Sequence, residues 1–215
     1  VRLFRNDGGQ FRDITTPQRL AGRTGWWQSI AAGDFDGDGR MDVVLAHNFD
    51  SNEPETGRMA GGLSLWLRGS DSGLEPVPAF RSGIVIGGDA KALLVDDVAG
   101  HGVPGLFVTQ NDGPLRALRQ RGDGGRWLGV RLEGPVGNPT GIGARITLHS
   151  ATGPIAVAEA QAGASYLTQA GGTRWFGLGQ EQVARITVRW PDGETTEHAL
   201  ASGETGSQTV SLSRR

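Results

Sequence analysis

A segment that occurs twice constrains this chain more than any other feature. Ala32-Gly33-Asp34-Phe35-Asp36-Gly37-Asp38-Gly39-Arg40-Met41-Asp42-Val43-Val44-Leu45 lies over Val95-Asp96-Asp97-Val98-Ala99-Gly100-His101-Gly102-Val103-Pro104-Gly105-Leu106-Phe107-Val108 with the glycines and the following apolar run in step. A repeat of this kind means that one supersecondary unit is used again and buries a face by stacking on its neighbour. Further traces are Asn6-Asp7-Gly8, Asn48 and Asn111-Asp112-Gly113, placed where such a unit would turn after a strand. The copies are about 60 residues apart, longer than the roughly 40 to 50 of common four-stranded units. The segment from Asn52 to Gly62 supplies much of the excess.

The local pattern says what the unit is made of. Ser29 to Ala32, Asp42 to Ala46, Leu63 to Leu67, Ala92 to Val95 and Leu106 to Thr109 are short, rich in β-branched or large apolar residues, and bounded by Gly, Asp, Asn or Pro. Such segments read as strands. No window of helical length keeps an apolar stripe without a Gly or Pro interrupting it, which predicts no long helix. Around Arg121-Gly122-Asp123-Gly124-Gly125 the composition turns to glycine and charge, as at a domain boundary. Beyond it, Trp127 to Leu132, Ala144 to Leu148, Ile155 to Ala158, Thr173 to Gly177 and Ala184 to Trp190 form a second strand series, with turns such as Pro191-Asp192-Gly193 between them. The fold expected is all-β: a partial β-propeller of about two blades over residues 1–120, a linker over 121–126, and a small β-sandwich or barrel-like domain over 127–212.

Composition excludes several classes of function. The chain has no Cys, which removes disulfides, thiolate chemistry and Cys-based zinc sites. Its 23 acidic and 21 basic residues are interspersed and the net charge is −2, so no field suited to a phosphate backbone exists and no nucleic-acid partner is expected. No apolar run approaches the roughly 18 residues of a membrane span, so no membrane insertion is expected either. Glycine, at 36 of 215 residues, is more than double its usual share and calls for many tight turns.

The first copy of the repeat carries the chemistry. Asp34, Asp36, Asp38 and Asp42 stand at positions 1, 3, 5 and 9 of a loop, with Gly37 and Gly39 between them. Ca²⁺ takes six to eight oxygens in a flexible shell, and alternate positions of a tightly curled loop aim carboxylates at one point while glycines permit the curl. The backbone carbonyl of Arg40, at position 7, adds a further oxygen. An EF-hand would have Glu at position 12, where this chain has Leu45 in a predicted strand, so the expectation is a calcium loop between strands. A plain acidic turn is the bland alternative, but carboxylates so close repel one another without a cation. In the second copy the ligand positions read Asp97, Ala99, His101 and Gly105, which predicts a turn that has lost its metal.

The stretch Gly33 to Asp42, with Leu3-Phe4-Arg5-Asn6-Asp7-Gly8-Gly9-Gln10-Phe11 before it, resembles the FG-GAP/VCBS propeller repeat. Trp127-Leu128-Gly129-Val130, Asn138 through Gly141-Ile142-Gly143-Ala144-Arg145, Tyr166-Leu167, Phe176-Gly177-Leu178-Gly179 and Val188-Arg189-Trp190-Pro191-Asp192-Gly193 resemble the ASPIC/UnbV domain. Pro139-Thr140 departs from the charged residues expected between Asn and Gly in that domain. The resemblance implies extracellular interaction and adhesion, and no activity that can be carried over to particular residues. It also implies that the chain is part of a longer protein, since a propeller closes with four or more blades.

Other motifs have plain explanations. Arg121-Gly122-Asp123 matches an adhesion tripeptide but is short enough to occur by chance. Asp71-Ser72-Gly73 lacks the second glycine of a nucleophile loop and has no histidine motif to serve it, and Gly141-Ile142-Gly143 is followed by a strand instead of the helix of a dinucleotide site. The four His residues have no zinc spacing. Trp26-Trp27, Trp66, Trp127, Trp175 and Trp190 suit β cores, although neighbours in a strand face opposite ways, so one of Trp26 and Trp27 is expected to be exposed. The function expected is a non-enzymatic, calcium-binding interaction or adhesion module with a protein or glycan partner, located outside the cell, at its surface or in a periplasm. The alternative is a carbohydrate-binding or carbohydrate-active protein whose catalytic residues lie elsewhere.

Overall fold

A computed structural model describes residues 1–15, 20, 25–48, 55, 62–97, 99–121, 125–163, 165–200 and 208–214. Arg121-Gly122-Asp123 and the segment from Asn52 to Gly62 lie largely outside the described residues. The expected all-β class is borne out: among the described residues sixteen strands form five sheets, and the one helix, α1 (Ala79–Ser82), is a single turn. No described helix is long and apolar enough to cross a membrane.

The first repeat forms a four-stranded antiparallel meander from β3 (Trp27–Gly33), β4 (Asp42–His47), β5 (Leu65–Ser70) and β6 (Gly73–Val77), in the order β3-β4-β5-β6. The second forms a meander of β7 (Asp89–Asp96), β8 (Gly105–Asn111) and β9 (Gly113–Leu118), with three strands among the described residues where four were expected. The two copies are superimposable in register. Gly33 pairs with Asp42 at the mouth of the first hairpin, and Asp96 with Gly105 at the mouth of the second. Ahead of both lies a small two-stranded sheet of β1 (Phe4–Asp7) and β2 (Gln10–Asp13).

Side-chain alternation on β4 shows how these sheets stack. Val44 and Ala46 face a core shared with Ala90, Leu93, Leu106 and Val108 of the second meander. Val43 and Leu45 face the other way, into a smaller core with Leu20, Leu67 and Leu3. A sheet buried on both faces reads as a continuous apolar run, which is what Val43-Val44-Leu45-Ala46 is.

The C-terminal half is built from two facing sheets. One is ordered β13-β10-β16, from β13 (Thr173–Gly177), β10 (Trp127–Glu133) and β16 (Gln208–Ser213), with β10 and β16 parallel. The other is ordered β12-β11-β14-β15, from β12 (Pro154–Glu159), β11 (Arg145–His149), β14 (Arg185–Arg189) and β15 (Thr195–Ala199). Leu128, Val130, Phe176 and Leu212 of the first and Ile146, Leu148, Ile186 and Val188 of the second share one core. This is a two-layer arrangement with no closed barrel.

Candidate metal centre

β3 ends at Gly33 and β4 begins at Asp42, so the acidic residues occupy the hairpin connection and both flanks of its mouth. Asp34 folds the loop. Its Oδ1 accepts the backbone N–H groups of Gly37 at 2.6 Å and Asp38 at 3.2 Å, and its Oδ2 accepts that of Gly39 at 2.7 Å. The curl passes through the left-handed region at Gly37 (φ 71) and Gly39 (φ 90), where a side chain would be strained. Asp42, fully buried, closes the other side by accepting from Phe35 N at 3.0 Å and Gly69 N at 2.6 Å.

The loop brings Asp34, Asp36 and Asp42 together, with one carboxylate oxygen of each lying within 4.8 Å of the others. Burial raises the Asp34 and Asp42 carboxyls to about 6 against the hydrogen bonds they accept, and the neighbouring carboxylates push the same way. Asp36 Oδ1 is buried and has no hydrogen-bond partner among the described residues. Asp38 stands apart from the group of three and turns to cations of the chain itself. Its Oδ2 pairs with Arg68 Nη2 at 2.9 Å and Arg40 Nη1 at 3.4 Å. Arg40 holds Asp71 at 2.7 Å with its other guanidinium nitrogen.

Arg68 is the residue that sequence reasoning missed. Its Nε bonds Asp36 Oδ2 at 2.5 Å while Nη2 holds Asp38, so it neutralises two of the four acidic groups. Nothing in its own neighbourhood of the sequence signals this, because it reaches the loop only through the β4–β5 register, in which Val43 faces Leu67. The donor set is nonetheless one that suits a hard divalent cation. It is all oxygen, it includes a buried carboxylate oxygen with no partner among the described residues, and burial raises two of its carboxyls to about 6.

The second copy keeps the curl with one of the four carboxylates. Asp97, standing where Asp34 does, accepts from His101 N at 3.1 Å and Gly102 N at 2.6 Å, and Gly100 (φ 69) and Gly102 (φ 75) repeat the left-handed positions. Of the remaining motifs, Asp71 touches the loop through Arg40 and Trp127 through the Asp34 carbonyl. Ser72 is hydrogen-bonded to Glu75 at 2.7 Å in the β5–β6 turn, and His47 is buried edge-on against Trp27. Trp26 is 50% exposed and Trp27 is half-buried, whereas Trp127 and Trp190 are buried. A cleft of about 460 Å³ lies beside the loop, walled by Ala31, Met41, Val95, Val157, Arg174 and Phe176.

Two meanders in repeat and a two-layer C-terminal half thus frame an acidic loop, and a segment at each end of the chain matches a known family. Residues 1–45 match the FG-GAP-like repeat and residues 134–213 match the family described as ASPIC and UnbV, which bears out the resemblance for those segments. The chain is similar to cartilage acidic protein 1 of Mus musculus and of Homo sapiens, each 24% identical over 204 residues, covering 92% of this chain and 30% of the relative. The protein of the same name from Xenopus tropicalis is 24% identical over 214 residues, covering 96% of this chain and 32% of its own length. The chain therefore spans about a third of the length of the curated relatives it matches.

Proposed function

We propose that this chain is a calcium-binding interaction module of an extracellular or surface protein, without catalytic activity of its own. The observation that carries the reading is the acidic loop: three carboxylates converge, and one of their buried oxygens has no donor among the described residues. Asp34, Asp36 and Asp42 would hold the ion from three sides, with Asp38 joining them on release from Arg68 and the Arg40 carbonyl closing the shell. Calcium supplies the positive charge that makes the fully ionised loop stable. An all-oxygen loop without the bidentate Glu clamp of an EF-hand fits the affinity range of extracellular modules, roughly 10⁻⁴ to 10⁻³ M. That range, together with relatives named for cartilage, supports a setting outside the cytoplasm and a protein or glycan partner there.

Titration calorimetry of the whole chain with CaCl₂ tests this reading. One site with a dissociation constant near that range is expected, weakened at least about tenfold in Asp36→Asn. Absence of binding heat, or an Asp36→Asn curve that overlays the parent, overturns it. A second reading, carbohydrate binding, rests on the half-exposed indole of Trp26. It requires oligosaccharide binding that Trp26→Ala abolishes.

A further inference from the structure

The acidic loop is sandwiched between its own meander and the C-terminal sheets. Trp127, at the start of β10, donates its indole N–H to the Asp34 carbonyl at 3.0 Å. Gly179 N donates to the Gly37 carbonyl at 2.9 Å, and Gln120 Nε2 to the Asp36 carbonyl at 3.3 Å. Three carbonyls of the loop are thus held by donors from beyond the repeat hairpin. The approach is close enough to exclude side chains: a Cβ on Gly177 would fall on Asp34 Oδ2, and one on Gly179 would lie 2.5 Å from the Asp38 carbonyl oxygen. Gly177, at the end of β13, does not have a left-handed backbone, so close approach alone explains glycine there.

The same strand reaches the second copy. Asp96, at the mouth of the second hairpin, accepts from Gly171 N at 3.0 Å and from the Trp175 indole at 3.4 Å. The β13 region therefore lies across both equivalent loops, touching the acidic one at Gly177 and Gly179 and the metal-free one at Gly171 and Trp175.

We propose that the C-terminal sheets complete the calcium loop, with Trp127 and Gly177 as positioning residues, so that calcium uptake and docking of those sheets onto the repeats are linked. The inference rests on the calcium reading and deepens it. A loop whose carbonyls are already restrained gives up less freedom when its carboxylates close on an ion. Linkage is reciprocal, so the factor by which docking tightens calcium is the factor by which calcium tightens docking.

The test is calcium titration of the whole chain, paired with the rate of tryptic cutting after Arg121, where the two halves meet. In the parent chain calcium is expected to slow that cut. Gly177→Ala is expected to raise the calcium dissociation constant about tenfold and abolish the protection. Trp127→Phe, which keeps an aromatic ring but removes the N–H donor to Asp34 and the outer indole atoms packed near Gly37 and Gly125, is expected to raise it several-fold and carries the test if Gly177→Ala fails to fold. Gly137→Ala, where a Cβ meets open space, serves as control and leaves both readouts unchanged. Parent-like calcium affinity in folded Gly177→Ala or Trp127→Phe overturns the inference while leaving the calcium reading intact. A parent chain that takes up no calcium overturns the calcium reading, and this inference with it.

Discussion

Arg68 and the two high-pKa carboxyls decide how the acidic loop behaves without an ion. Arg68 is a tethered cation on Asp36 and Asp38, with its own side chain 48% exposed. Removing it takes a positive charge away from the ion's position, so Arg68→Gln is expected to tighten calcium several-fold while costing about 1 kcal/mol of stability in chelator. Unchanged affinity by calorimetry contradicts that role. Asp34 and Asp42 have folded-state values of about 6 against 3.8 for the free side chain, so the folded chain binds more protons than the unfolded one between those values. Their contribution to stability in chelator is fully present below about pH 4 and is lost as pH rises through about 6. Calcium requires the ionised forms, so the melting difference between calcium and chelator is expected to be larger at pH 7.5 than at pH 5. Equal differences at the two values contradict the assignment of these carboxyls to the ion.

The two repeat hairpins form an internal comparison, since they share register and curl and differ in carboxylates. Asp97→Ala, which removes the bonds to His101 N and Gly102 N, is expected to cost about 1 kcal/mol equally with and without calcium. Asp34→Ala removes a similar turn and should also abolish the response to calcium; the two denaturation series in calcium and chelator separate them. In the C-terminal half, Ile146→Ala empties a fully buried position between the facing sheets and is expected to cost about 2 to 5 kcal/mol by urea unfolding. The elements legible in the sequence were those with a buried face. Asp42 to Ala46 and Ala184 to Trp190 locate β4 and β14 because packing on a core forces apolar residues into a pattern. The strands that went unread, β1, β2, β9 and β15 among them, are mostly exposed, and their residues obey hydrogen-bond register with no hydrophobic period to reveal it. The same division holds at the loop. Its aspartates were readable from local spacing, whereas Arg68, Trp127 and Gly177 reach it only through strand register and the packing of one half on the other.

As a whole, the chain is a stack of antiparallel meanders capped by a two-layer C-terminal half, with the acidic loop at the junction. The relatives are about three times as long as the segment matched. The ion at such a junction would stabilise both halves together. At 10 mM calcium and the affinity range above, mass action gives about 1.4 to 2.7 kcal/mol, or a rise of several degrees in melting temperature for a chain of this size. The most direct measurement is a thermal melt of the purified chain in millimolar Ca²⁺, in Mg²⁺ and in chelator, beside an Asp36→Ala, Asp38→Ala double variant. A rise of several degrees specific to Ca²⁺ and absent from the variant is the predicted result; identical melting in all three conditions would contradict a calcium site and leave the loop as an acidic turn held by Arg68.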